Sequence, residues 1–202
     1  MLWNTATESR SLLDSYEDQD LSEYSGDTGE FSITAESNLA FSARDGSYVL
    51  ENPGPDFDDI YSTTITAAKG TTINGWVRGT ASASQSVCFG LGTDTNDCYE
   101  ARVSIDGNNI VLRDRADSTT LAADYGPGVS ADTWYRIEVV WDDGTLGGAD
   151  NDLTMRVFDA SGTQQGSTLS ANDSTHATED GIGIIANGGS SWTAWIDYLY
   201  ED

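Results

Sequence analysis

The sequence is almost without lysine. Lys69 is the only one in 202 residues, and lysine plus arginine number 9 against 34 acids, 24 of them aspartate. A formal net charge of -25 excludes a nucleic-acid partner, because phosphate would be repelled. Self-repulsion of this size destabilises a compact chain in dilute buffer. Molar salt removes it as the Debye length falls to ~3 Å. The acids are spread along the whole chain, which excludes a disordered acidic tail and leads to the expectation of a domain adapted to high salt.

Long apolar runs are also missing. Stretches such as residues 182–186 fall far short of the ~20 residues that cross a bilayer, so no membrane insertion is expected. Residues 1–10 have neither the basic start nor the apolar run of a secretory signal, and no signal peptide is expected in this chain. They read instead as an N-terminal arm before a single domain over residues 11–202. Histidine occurs once, as His176 in a Ser/Thr-rich turn, which excludes a Ser/His/Asp array. Only Cys88 and Cys98 are present, ten residues apart around a turn, too few for a cysteine metal site. They leave two readings, a disulfide or two free thiols.

What is present is alternation. Helical periodicity is nearly absent, and 21 glycines against 3 prolines fit many tight turns. Strands are expected at 12–17, 30–35, 47–51, 59–64, 72–78, 87–92, 98–105, 109–115, 119–123, 134–141, 153–159, 164–169, 181–186 and 192–200, with one helical turn near 174–180. That many short strands make the chain all-β, an antiparallel two-sheet sandwich or a barrel. Three hairpins can be registered. Pairing Ile105 with Ile110 sets Arg102 opposite Arg113 and Glu100 opposite Arg115. A turn at residues 93–95 sets Cys88 opposite Cys98, where a cross-strand disulfide fits. In the third hairpin Tyr135, Ile137, Val139 and Trp141 form the core face.

Residues 132–144, reading DTWYRIEVVWDDG, and 153–163, reading LTMRVFDASGT, resemble the laminin-G-like branch of the concanavalin A-like lectin and glucanase sandwiches. SYED at 15–18, DGSYVLE at 45–51 and WIDYL at 195–199 resemble the family's opening and closing strands. The resemblance implies an antiparallel two-sheet jelly roll, with galactose-binding-like modules as the alternative fold. With the charge, it implies a haloarchaeal domain or one from a virus of such a host. It further implies binding of glycans or glycoproteins. Family glucanases carry two carboxylates on one strand in an E-x-D-x-x-E pattern, which no strand here contains. A structural Ca²⁺ that joins first and last strands in related sandwiches maps to Glu17, the Gly46 carbonyl and Asp197. The bland alternative is that these are surface acids.

Four of the basic residues, Arg78, Arg102, Arg113 and Arg115, fall on strands expected to be neighbours. Trp76 shares a side of its strand with Arg78 by alternation, and Glu100 joins the arginines. Arginine forks beside an indole suit an acidic sugar. A ladder of ion pairs that only stabilises the sheet explains the same residues. Trp192 follows NGGSS and is a second candidate, on a loop rim. The expected function is a non-catalytic glycan-binding adhesion module adapted to high salt, extracellular or exposed on a virion as a head decoration or tail appendage. Its partners would be a cell-surface glycoprotein, other virion proteins or further copies of itself. The rivals are a purely structural decoration or oligomerisation domain and, third, a glycoside hydrolase.

Overall fold

The computed structural model describes residues 10–54, 56–141, 152–176, 178–188 and 192–202. Most of the expected arm, residues 1–9, lies outside the described residues. The strands are β1 (Ser11–Asp14), β2 (Ser25–Gly26), β3 (Ser32–Ala35), β4 (Tyr48–Asn52), β5 (Asp58–Thr66), β6 (Thr72–Gly79), β7 (Ala83–Leu91), β8 (Tyr99–Ser104), β9 (Asn109–Asp114), β10 (Thr119–Tyr125), β11 (Tyr135–Trp141), β12 (Asp152–Asp159), β13 (Leu169–Asn172), β14 (Gly181–Gly188) and β15 (Ala194–Glu201). They form two antiparallel sheets. Sheet I runs β13-β12-β11-β6-β15-β4-β3, with β1 also paired to β15. Sheet II runs β10-β9-β8-β7-β14-β5-β2.

The core is the space between the sheets, filled by alternate residues. Sheet I contributes Leu50, Ile73, Val77, Ile137, Val139, Trp141, Leu153, Met155 and Ile196. Sheet II answers with Ile60, Val87, Phe89, Tyr99, Ala101, Val103, Ile110, Leu112, Ile182 and Ile184. Burying one such large side chain stabilises the fold by about 1.5–3 kcal/mol. Phe89 meets Trp141 across the core, ring centroids 5.7 Å apart. Gly75 leaves room in the core: a β-carbon there would stand 2.7 Å from Leu199 and 2.9 Å from Val87 of the facing sheet. The face expected for β11 is the observed one, since Tyr135, Ile137, Val139 and Trp141 are all buried.

Two hairpin registers differ from expectation, each by two residues. Val103, not Ile105, faces Ile110, so Glu100 pairs with Arg113 and Arg102 with Val111. The cause is in the turn. Ser104 Oγ accepts from Gly107 N, Asn108 N donates to Ile105 O, and Ile105 N turns away to Ala83 O. In the preceding hairpin Cys88 pairs with Glu100, because residues 94–97 close a turn of their own, Asp97 N donating to Asp94 O. Cys88 and Cys98 are therefore not directly opposite. They are free thiols, buried side by side in a small cluster with Leu91 and Ile185. A two-residue slip leaves every side chain on its original face.

Other differences are local. Strand β2 was not foreseen. β13 begins at Leu169 rather than 164, because residues 163–168 turn on Gln164 and Gly166, leaving one bridge from Gln164 to Phe158. Where a helical turn was expected near 174–180, residues 175–176 form a turn, with Asp173 accepting from Thr175 N at 2.8 Å, and residue 177 lies outside the described residues. The short helices are 3-10 turns at Thr28–Glu30 and Glu36–Asn38.

Candidate functional site

The expected arginine cluster is divided between the sheets. After Gly79 the chain turns within residues 80–83, Ala83 N donating to Thr80 O, and crosses from sheet I to sheet II. Trp76 and Arg78 therefore lie on sheet I, paired to Arg136, Asp197 and Trp195. Glu100, Arg102, Arg113 and Arg115 lie on or beside sheet II. Arg78 is held by the Asp132 carbonyl and carboxylate and stacks over Phe41 at 4.1 Å. Trp192 is 3% exposed, wedged against Gly54 and Gly188, so it is a packing residue and not a rim platform.

On sheet I, residues 39–47 fold over the outer face. Phe41 meets Trp134 and Trp195 edge-on at 5.7 and 4.9 Å, and Trp134 Nε1 donates to Ser42 O. The three residues of the expected calcium site converge under this loop. Asp197 Oδ2 accepts from the backbone N–H groups of Arg44 and Asp45. Glu17 Oε1 accepts from Ser47 N and Tyr48 N at 2.7 and 2.8 Å. Gly46 adopts φ +60, and a β-carbon there would collide with the Glu17 carboxyl at 2.3 Å. Asp197 is fully buried, and burial pushes its carboxyl up to about 7 against the pull of the two N–H donors. Its Oδ1 has no hydrogen-bond partner. Among the described residues no group of three or more His, Cys, Asp or Glu side chains gathers around a metal position.

On sheet II the outer face is half roofed by residues 93–97. Thr95 lies over Gly183, its hydroxyl donating to Asp59 at 2.6 Å and its carbonyl accepting from Arg115 Nε. Beside this roof, Glu100 is buried in the face. Ser86 donates to it at 2.7 Å, and Arg115 and Arg113 approach at 3.4 and 3.9 Å. This part is an ion-pair ladder. Arg102 is different: it stands between Ser86 and Val111, and no described acid pairs with it. Ser84 and Ser104, bonded to each other at 2.9 Å, continue the floor.

Two aromatics that the sequence reading passed over border this face. Phe57 is 43% exposed, with Arg115 over its ring at 5.3 Å. Tyr125 is 76% exposed, on edge strand β10 opposite Asn109. A signal for the floor was present: in residues 83–87, ASQSV, the serines occupy alternate positions opposite Ala83, Gln85 and Val87.

No protein-family model matches the chain, and no curated protein sequence matches it. Solved structures do. The carbohydrate-binding module CBM66 from Bacillus subtilis aligns over 86% of this chain and 96% of its own, at 10% identity and a TM-score of 0.52. The marine PL-14 alginate lyase from Aplysia kurodai aligns over 89% and 88%, at 13% identity and 0.55. The metal-free carbohydrate recognition domain of Emp46p aligns over 94% and 92%, at 10% identity and 0.56. The fold is a concanavalin A-like sandwich. Binding modules and a lyase share it, so the fold alone does not choose between binding and catalysis. No helix among the described residues is long and apolar enough to cross a membrane.

Proposed function

We propose that the chain is a non-catalytic module that binds acidic glycans through the outer face of sheet II, at high salt and outside the cell or on a virion surface. One observation carries the reading: Arg102 has no acid partner among the described residues of a chain with 34 acids. In such a molecule an unpaired guanidinium on a sheet face needs an explanation. A uronate or sulfate supplies one, because it meets the guanidinium fork with two parallel hydrogen bonds. The serine floor offers hydroxyls to sugar hydroxyls, and Phe57 and Tyr125 offer stacking surfaces at its border. Glu100 is the buried acid of this face and is bonded to Ser86 and two arginines. That leaves it poorly placed for the paired acid–base work of a glycosidase, which needs a second carboxylate about 5–9.5 Å away.

The test is binding of sodium digalacturonate and of cellobiose in molar KCl, by calorimetry, to the native chain and to Arg102→Ala. Digalacturonate should bind more tightly than cellobiose and lose affinity in Arg102→Ala. Absence of any sugar binding would favour the structural decoration role.

We propose further that sheet I holds a structural Ca²⁺. Glu17, the Gly46 segment and Asp197 are drawn to one place, and the unpartnered buried Asp197 Oδ1 is a hard oxygen of the kind Ca²⁺ takes. Bound Ca²⁺ would fix residues 44–48 to the last strand. Chelation should then lower the melting temperature, since a ligand that binds only the folded form stabilises it by mass action.

A further inference from the structure

The outer face of sheet I has an open half as well. Beyond the loop of residues 39–47 lies a cavity of about 510 Å³, bordered by Arg44, Trp76, Arg136, Tyr198 and Tyr200 and by three acids, Asp45, Glu138 and Asp202, of which Glu138 is ion-paired to Arg136 and Asp202 to Arg10. That volume is in the range of small-molecule sites. The Arg44 guanidinium carbon stands over the Trp76 ring, 4.1 Å from its centroid, while the backbone N–H of Arg44 is held by Asp197. No described acid pairs with its guanidinium; Arg136, in contrast, is occupied by Glu138 at 3.0 Å and Asn74 at 2.6 Å. Stacking fixes the plane of a guanidinium and leaves its N–H edges free, the preorganised state for a carboxylate.

The second wall is aromatic and is held at a backbone cost. The pairing of β15 with β6 slips between Asp197 and Tyr200, and Tyr198 takes φ +50 in the slip. A bulky residue rarely adopts this conformation. The bulge brings Tyr198 beside Tyr200, ring centroids 4.7 Å apart. Glycine at 198 would relieve the strain and lose the ring.

We infer that this cavity is a second saccharide site, taking a uronate whose carboxylate meets Arg44 and whose ring lies against Tyr198. It is separate from the sheet II face, with different residues on the opposite side of the sandwich. A chain with both sites holds two sugar segments at once, and a polymer bound at both gains avidity without new contacts.

The experiment uses Arg102→Ala protein, so that the sheet II face is weakened, and it reads Trp76, which lies on sheet I. Its tryptophan indoles are labelled with ¹⁵N and observed in molar KCl during titration with sodium digalacturonate, then cellobiose. Trp76→Phe assigns the Trp76 resonance. That resonance should shift saturably, with a midpoint about ten-fold lower for digalacturonate. Arg44→Lys keeps the charge and the backbone clamp but loses the fork, and should raise the midpoint about ten-fold. Tyr198→Gly should weaken binding similarly while the melting temperature holds or rises, a combination that a purely structural tyrosine would not give. A Trp76 resonance that does not move with digalacturonate overturns the inference. So does one that moves equally in Arg44→Lys and in Tyr198→Gly.

Discussion

The outer faces of the two sheets make an informative pair. Each is half covered by a loop, residues 39–47 on sheet I and 93–97 on sheet II; the first is bonded directly to an acid buried in the face, and the second reaches one through Arg115, which donates to Thr95 O and to Glu100. On sheet I the acid is Asp197, whose bonding partners are backbone N–H groups. On sheet II it is Glu100, with two arginines beside it. The pairing of Glu100 supplies opposite charge at the point of burial. Asp197 has only dipoles, and its carboxyl rises to about 7. Basic residues are so scarce that not every buried acid receives one. Yet two arginines, Arg44 and Arg102, are left without described acid partners, one on the open half of each face.

Salt should have the largest effect on this arrangement. In ~0.1 M KCl the Debye length is ~10 Å, and in molar KCl it is ~3 Å. The melting temperature should rise steeply across that range, because the net charge of -25 is then screened. A melting temperature that ignores salt would remove the reason for treating two unpaired arginines as unusual.

Asp197→Ala comes next. It removes the acceptor of two backbone N–H groups and frees the 39–47 loop, at a cost of about 3 kcal/mol in urea unfolding. Glu100→Gln should cost less, about 1 kcal/mol, since the amide keeps an acceptor for Ser86 and the arginines beside it reach solvent. Equal losses would erase the contrast between the two loops.

The sequence revealed faces far better than neighbours. Alternation put Glu100, Arg102 and Arg113 on one side, and both hairpin slips, being of two residues, preserved that. Register itself depended on Ser104 Oγ and on the turn at residues 94–97, short-range bonds that alternation does not encode. Sheet membership failed at residues 79–83. Arg78 and Arg102 were expected on neighbouring strands, but residues 79–83 form an arch between sheets, and Trp76 and Arg78 go with sheet I. Trp192 looked like a rim residue because glycines precede it, whereas Gly54 and Gly188 make the slot that buries it.

The pH dependence gives a smaller and more specific contrast. The folded-state pKa of Asp197 lies above the value for an unfolded aspartate, so the folded chain binds the extra proton. Its contribution is therefore most favourable below about pH 4, declines as pH rises toward about 7, and is constant above. In EDTA, the stability difference between the native chain and Asp197→Asn should follow that slope. Added Ca²⁺ should flatten it if the ion binds there.

The central claim is that an unpaired arginine marks the ligand face of sheet II. Calorimetric titration of sodium digalacturonate into Arg44→Lys protein in molar KCl, with and without the further change Arg102→Ala, measures that face with the sheet I cavity weakened. The account predicts binding that falls about ten-fold when Arg102 is lost, one charge-assisted pair. Binding that is undiminished by Arg102→Ala in a folded protein would contradict it.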